Sequence, residues 1–332
     1  MKGMDYEIIA TLGPESSSEP VWLDLLTAGA SSFRLNTSHL ALEQIEQWLD
    51  RIRPFLKAHD VHSHLILDLQ GSKWRLGGFL GFTLEPGQLI ELICAPSSEA
   101  AGMLPVPHQD FFQAALSSDG TIVLNDARIV LAMEKADALT VKARVVRGGE
   151  ISPQKGITCS SSSYRIEALG EKDREILERT GGMDGIRYAL SYVRDAAEMS
   201  RYRTMINGGA YLIAKLERET ALEDAGGIAL LSDELWLCRG DLGAEMGPAA
   251  MAEAVHRFSG TVGSLPRPVL MAGQVLEHMT LCPVPTRSEV CFLHDTLARG
   301  YGGIVLSDET AVGRYPVESC RAAAMFKAVA SR

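Results

Sequence analysis

Tyr211-Leu212-Ile213-Ala214-Lys215-Leu216-Glu217 is a short apolar run that ends in an ammonium and a carboxylate. Lys215 and Glu217 are two residues apart, so in an extended chain both leave the same face. A short run that is apolar on both faces reads as a strand buried on both sides. The signature recurs at residues 7–11, 31–35, 64–69, 185–190, 234–237, 268–271 and 303–306. Amphipathic stretches lie between these runs. Over residues 41–59, Leu42, Ile45, Leu49, Ile52 and Leu56 fall at helical spacing. Residues 196–207, 249–258, 286–299 and 316–329 read similarly. Eight strand-then-helix units predict an α/β fold, a (β/α)8 TIM barrel.

One stretch breaks the alternation. From residue 77 to residue 155 the pattern becomes β in character, with runs at 88–94, 121–123, 129–133 and 139–146. The expected organisation is a barrel domain, 1–76 and 156–332, with a small β-barrel-like lid domain, 77–155, inserted after the third strand. The serine run Ser160-Ser161-Ser162-Ser163 reads as a linker where the barrel resumes.

Composition narrows the function classes. The 332 residues are 46% hydrophobic and 22% charged, which excludes a largely disordered chain. A net charge of −10 argues against nucleic acid and anionic membranes as general partners. No run approaches the ~18 apolar residues of a membrane span. The start, Met1-Lys2-Gly3-Met4-Asp5-Tyr6-Glu7, lacks the apolar core of a signal peptide, so a cytoplasmic location is expected. Cys94, Cys159, Cys238, Cys282, Cys291 and Cys320 form no CxxC pair and read as reduced thiols, several of them in the core.

A barrel of this kind does its chemistry at the C-terminal ends of its strands. Those ends read Thr11-Leu12-Gly13-Pro14, Arg34-Leu35-Asn36-Thr37-Ser38-His39, Asp68-Leu69-Gln70-Gly71-Ser72-Lys73-Trp74-Arg75, Lys215-Leu216-Glu217, Arg239-Gly240-Asp241, Ala272-Gly273-Gln274 and Ser307-Asp308-Glu309-Thr310. Glu217 and Asp241 supply the hard oxygen ligands that Mg²⁺ takes, with waters and substrate oxygens completing its shell. An ammonium at Lys215 beside that metal suits an enolate or a phosphoryl group in flight. Arg34 adds a guanidinium for phosphate. The bland reading is an ion-pair network on a barrel rim. The joint placement of so many ionisable groups at strand ends favours a site. His62-Ser63-His64 precedes the third strand, on the stability face of such a barrel, and reads as ordinary histidines rather than a metal site.

These residues also carry a family resemblance. Ile9-Ala10-Thr11-Leu12-Gly13-Pro14, Ala28-Gly29 with Arg34-Leu35-Asn36-Thr37-Ser38-His39, Ile213-Ala214-Lys215-Leu216-Glu217, Arg239-Gly240-Asp241-Leu242-Gly243, Pro285-Thr286-Arg287-Ser288-Glu289-Val290 and Glu309-Thr310-Ala311 with Tyr315-Pro316-Val317-Glu318 resemble, in order, motifs of pyruvate kinase. The resemblance implies Mg²⁺-dependent phosphoryl transfer between phosphoenolpyruvate and ADP, giving pyruvate and ATP. It implies that Lys215 and Arg34 are catalytic, Arg34 on the substrate phosphate and Lys215 on the charge that develops in transfer. Gly240 and Asp241 would hold the substrate carboxylate through their backbone. Glu217 and Asp241 would bind Mg²⁺. Asn36, Ser38 and Asp68 match monovalent-cation ligands, and Arg75, Lys155 and His39 match nucleotide-phosphate contacts. Residues 77–155 would be the family's mobile lid. Homo-oligomerisation stays open.

Several positions depart from the family pattern. The sequence ends near the last barrel helix, so the family's C-terminal effector domain and its control are expected to be missing. Gly273 replaces a threonine whose hydroxyl is linked to proton transfer. Leu69 removes a hydroxyl ligand of the monovalent cation and Lys73 replaces a glutamate, so the Lys73 ammonium is expected to stand in for K⁺ and make it dispensable. The bland alternative is a decayed site with Lys73 in solvent. Val312 and Asp308 replace a lysine and a glycine near the nucleotide. These changes keep two other readings open: an Mg²⁺-enolate lyase or decarboxylase acting on a keto acid such as oxaloacetate, and a non-catalytic keto-acid binding protein.

Overall fold

The computed structural model describes residues 4–59, 64–118, 120–125, 128–159, 165, 169–206 and 209–328. Eight strands close into a barrel: β1 (Glu7–Leu12), β2 (Ser32–Asn36), β3 (Leu65–Leu69), β4 (Ile186–Leu190), β5 (Tyr211–Leu216), β6 (Glu234–Cys238), β7 (Val269–Ala272) and β8 (Gly303–Leu306). Neighbours run in chain order, β8 pairs with β1, and every pairing is parallel. Parallel strands need crossovers, and helices supply them. Leu42–Ala58 buries Ile45, Leu49, Ile52, Phe55 and Leu56 on one stripe, as its spacing predicts. Among the described residues no helix is long and apolar enough to cross a membrane.

The chain divides into two compact units. One is Met1–Gln70, Gly170–Arg239 and Val255–Arg332, which carries the barrel; the other is Gly71–Leu169 with Gly240–Ala254. The second is wider than the expected 77–155 insertion, because residues from both flanks and the segment after Arg239 pack within it. Its six-stranded sheet runs in the order Ile157–Cys159, Thr121–Leu124, Ile129–Ala136, Thr140–Arg147, Leu89–Ile93, Met103–Pro105. The all-β expectation fails at Gln109–Leu116, which is a helix. Phe111, Phe112, Ala114 and Ala115 on that helix are buried in the unit's core. A short apolar run does not by itself separate helix from strand, and burial decided this one. The Ser160–Ser163 linker reading lies outside the described residues, as do His62 and Ser63.

Strand side chains alternate, so every second residue enters the barrel. Ile9, Ile66, Ala189, Ile213, Trp236, Leu270 and Val305 form its apolar middle. Two residues earlier on β4, β5 and β6 stand Arg187, Tyr211 and Glu234, and this floor is polar. Glu234 is 1% exposed and accepts from the Trp236 indole and from the Tyr211 hydroxyl at 3.0 Å. The Arg187 guanidinium stands 3.7 Å from it, over the Tyr211 ring, with Nε and Nη1 buried and without a hydrogen-bond partner. Burial, opposed only in part by those donors and by Arg187, pushes the Glu234 carboxyl up to about 7.

A folded-state value above the ordinary one means that the native chain holds the proton longer than the unfolded chain. The resulting loss of stability begins as pH passes the unfolded value and is complete above about 7. Glu234→Gln keeps an oxygen for the Trp236 indole, turns an N–H toward the Tyr211 hydroxyl, which accepts it, and removes the titration. Its stability relative to the wild type should therefore rise between about pH 5 and pH 8, on the order of 1–3 kcal/mol. Urea unfolding of both proteins across that range checks it, and a pH-independent difference would count against the buried, shifted carboxyl.

Candidate active site

Two residues beyond the apolar middle, the same alternation brings Thr11, Arg34, Asp68, Ser191 and Lys215 to the C-terminal mouth. Asp68, 2% exposed on β3, is their common partner. Arg34 donates to Asp68 Oδ2 from Nε at 2.8 Å and from Nη2, and its Nη1 reaches the Thr11 hydroxyl at 2.8 Å. Lys215 Nζ lies 3.2 Å from Asp68, 2.9 Å from Ser191 Oγ and 3.0 Å from Glu217 Oε1. Ser191 itself donates to Asp68 Oδ1 at 3.1 Å, and the Tyr192 backbone N–H donates to Glu217 Oε2 at 2.7 Å. Two cations and two carboxylates thus balance in a layer almost closed to water.

The electrostatics follow from that packing. Burial would raise the Asp68 carboxyl, but Lys215 and Arg34 outweigh it and hold it down at about 2. Burial would likewise strip the Lys215 proton, but Asp68 and Glu217 raise its affinity above the usual range. Lys215 is therefore a permanent ammonium, suited to stabilising negative charge and unsuited to taking up a proton.

The loops beyond β7 and β8 are tied by a buried carboxylate. Glu309, fully buried, accepts from the Leu276 N–H at 3.0 Å and the Ser307 N–H at 2.7 Å. Arg239 donates to the Gly273 carbonyl at 2.6 Å and the Gln274 carbonyl at 2.9 Å. Gly273 has φ +83°, a left-handed conformation that a β-branched threonine takes only at a cost. The loss of the threonine hydroxyl therefore goes with a backbone that favours glycine.

In the second unit, Lys73 Nζ pairs with Asp241 Oδ1 at 2.6 Å. The Arg75 guanidinium is 8% exposed and donates to the Gln154 carbonyl at 2.7 Å. Lys155 is half-buried, and its carbonyl accepts from the Leu76 N–H at 2.9 Å. Gly240 and Asp241 open the helix Arg239–Met246, where first-turn N–H groups lack intrahelical acceptors. In the barrel unit, the Asn36 side chain accepts from the Ser38 N–H at 3.2 Å, and His39 is exposed.

Mg²⁺ chemistry is compatible with these donors. Glu217 and Asp241 are carboxylates each facing an ammonium, so each already compensates a positive charge. Among the described residues no group of three or more His, Cys, Asp or Glu side chains could hold a metal.

Sequence reasoning left Ser191, Tyr192 and the anchoring role of Glu309 unassigned. Ser191 and Tyr192 follow β4 directly, and the rule that chemistry gathers at strand ends would have found them. Glu309 stands in a quoted motif, but only contacts show what it holds. Pro285–Val290 also gains a structural meaning. Thr286 and Glu289 cap each other, the Thr286 N–H donating to Glu289 Oε2 at 2.8 Å, and so start the helix Arg287–Ala298.

A family model described as "Pyruvate kinase, barrel domain" matches residues 4–320. The chain belongs to the pyruvate kinase family. It is 34% identical over 317 residues to a pyruvate kinase of Methylorubrum extorquens, covering 94% of this chain and 66% of the relative. A pyruvate kinase of Agrobacterium vitis is 35% identical over 319 residues, covering 94% and 65%. The chain thus spans about two thirds of the length of these pyruvate kinases. A solved pyruvate kinase from Cryptosporidium parvum shares the fold, with a TM-score of 0.81 at 24% identity over 96% of this chain and 68% of that one.

Asp68 separates two cations, so its removal should cost more than one hydrogen bond. Asp68→Asn leaves Arg34 and Lys215 facing each other in a buried layer, and breaking such a pair typically costs about 3–5 kcal/mol. Because the folded carboxyl is depressed to about 2, its contribution is present above the ordinary carboxylate value and is lost as pH falls toward 2. Denaturant unfolding at pH 7 should show the large loss, and the gap to the wild type should narrow in acid. A loss below about 1 kcal/mol, typical of exposed pairs, would mean that the layer is solvated.

Proposed function

We propose that the chain is a Mg²⁺-dependent phosphotransferase acting between phosphoenolpyruvate and ADP. The observation that carries this reading is the Lys215 ammonium, held by Asp68, Ser191 and Glu217 at the end of β5. A permanent cation fixed in a nearly dry layer stabilises charge as it develops, with no reorganisation at the moment of transfer. Arg34, fixed by Asp68 and Thr11, would orient the phosphate. The first-turn N–H groups of Gly240 and Asp241 would take the substrate carboxylate. Glu217 and Asp241 would each give oxygen to Mg²⁺, which, when bound, neutralises phosphoryl and enolate oxygens. Arg75, Lys155 and His39 are proposed for the nucleotide phosphates, and residues 77–155 as a lid. Asn36, Ser38 and Asp68 are the proposed monovalent-cation positions. Activity indifferent to K⁺ is proposed on the Lys73 ammonium, which would supply the monovalent charge and which in this structure pairs with Asp241 Oδ1.

Family membership supports this over an enolate lyase or decarboxylase built on the same residues. A coupled assay for pyruvate release decides between them, run with phosphoenolpyruvate, Mg²⁺ and a panel of nucleoside diphosphates, with oxaloacetate in parallel. Pyruvate release should require ADP and proceed without K⁺. Nucleotide-independent release from oxaloacetate alone would sink the proposal. Lys215→Met should lower kcat by about 10²–10³, the cost of removing one such donor. Its unfolding is followed alongside, since Glu217 loses its ammonium in that variant.

A further inference from the structure

Beyond the monovalent charge proposed for it, Lys73 makes a close ion pair within its own unit. Its ammonium lies 2.6 Å from Asp241 Oδ1, and the two side chains are only 10% and 13% exposed. The bare backbone at Gly156 gives the end of the Lys73 stem its room. A Cβ at Gly156 would stand 2.9 Å from Lys73 Cε and 3.3 Å from Nζ. Gly156 is fixed there by its bridge to Arg75, and its carbonyl accepts from the Asn125 N–H.

We propose that Lys73 is a built-in competitor for divalent metal at Asp241: its ammonium takes the carboxylate oxygen that the metal would use, so the metal binds only as the ammonium withdraws. The inference rests on the metal role proposed for Asp241. Mg²⁺ demands oxygen lone pairs at about 2.0–2.1 Å in near-octahedral order. An oxygen accepting a short, charge-assisted bond has already committed lone-pair density and neutralised much of its charge. Two cations sharing one carboxylate also repel, and little solvent is present to screen them. The four-carbon lysine stem can swing aside, so the competition is reversible. Half-occupancy would then need more free Mg²⁺ than it would with a neutral residue at this position, because only the fraction with the ammonium withdrawn binds.

The test needs no substrate. Mn²⁺ serves as the probe, its free concentration read by electron paramagnetic resonance, with wild type, Lys73→Met, Lys73→Arg, Asp241→Asn and Gly156→Ala compared. Lys73→Met should bind Mn²⁺ more tightly, on the order of tenfold, the scale of relieving one like charge at contact distance. Lys73→Arg keeps the charge and should stay near the wild type. Gly156→Ala presses on the ammonium and should give a smaller gain, which also keeps the idea testable if Lys73→Met misfolds. Equal or weaker binding by Lys73→Met, with Asp241→Asn still lowering affinity, overturns the competition and leaves the metal assignment standing. Unchanged affinity in Asp241→Asn overturns the metal assignment itself, and this inference with it. Binding by Lys73→Arg as tight as by Lys73→Met would show that charge is not the cause, and would overturn it too.

Discussion

The Asp68 carboxylate is the constraint on which the barrel mouth depends. Arg34 on β2 and Lys215 on β5 both point into the same small interior, and without an anion between them they would repel. Asp68 stands on β3, accepts from both, and takes Ser191 Oγ as well. Glu217 balances the second cation of the pair, Lys215. A layer with no net charge can be buried, and burial strengthens its cations toward negative charge that develops nearby.

The same barrel holds a second buried carboxyl with the opposite fate. Asp68 has two cations within hydrogen-bond reach and is held at about 2. Glu234 has neutral donors and a guanidinium at 3.7 Å, and is pushed up to about 7. Both side chains are almost inaccessible, so burial alone does not set the direction. The distance to a cation does. The mouth is built to keep charge, and the floor is built to shed it.

Around the mouth, polar anchors hold backbone rather than substrate. Glu309 receives two backbone N–H groups and Arg239 gives to two backbone carbonyls. Gly273 accepts the left-handed turn that this loop adopts. Such anchors act on geometry, and small misplacements of reacting groups are costly in a site of this kind.

The sequence by itself determined the barrel and the strand ends that matter. Its eight short apolar runs could only be buried on both faces, and the period-two alternation put Arg34, Asp68 and Lys215 at those ends. The resemblance to family motifs implied a chemistry for them. Only the tertiary structure decided which charges meet. That Asp68 serves both Arg34 and Lys215, that Ser191 joins them, and that Lys73 lies on Asp241 are contacts between residues from 34 to 168 positions apart, with no local signal. The helix Gln109–Leu116 escaped for a related reason: a short apolar run suits either a helix or a strand, and the surrounding core chooses.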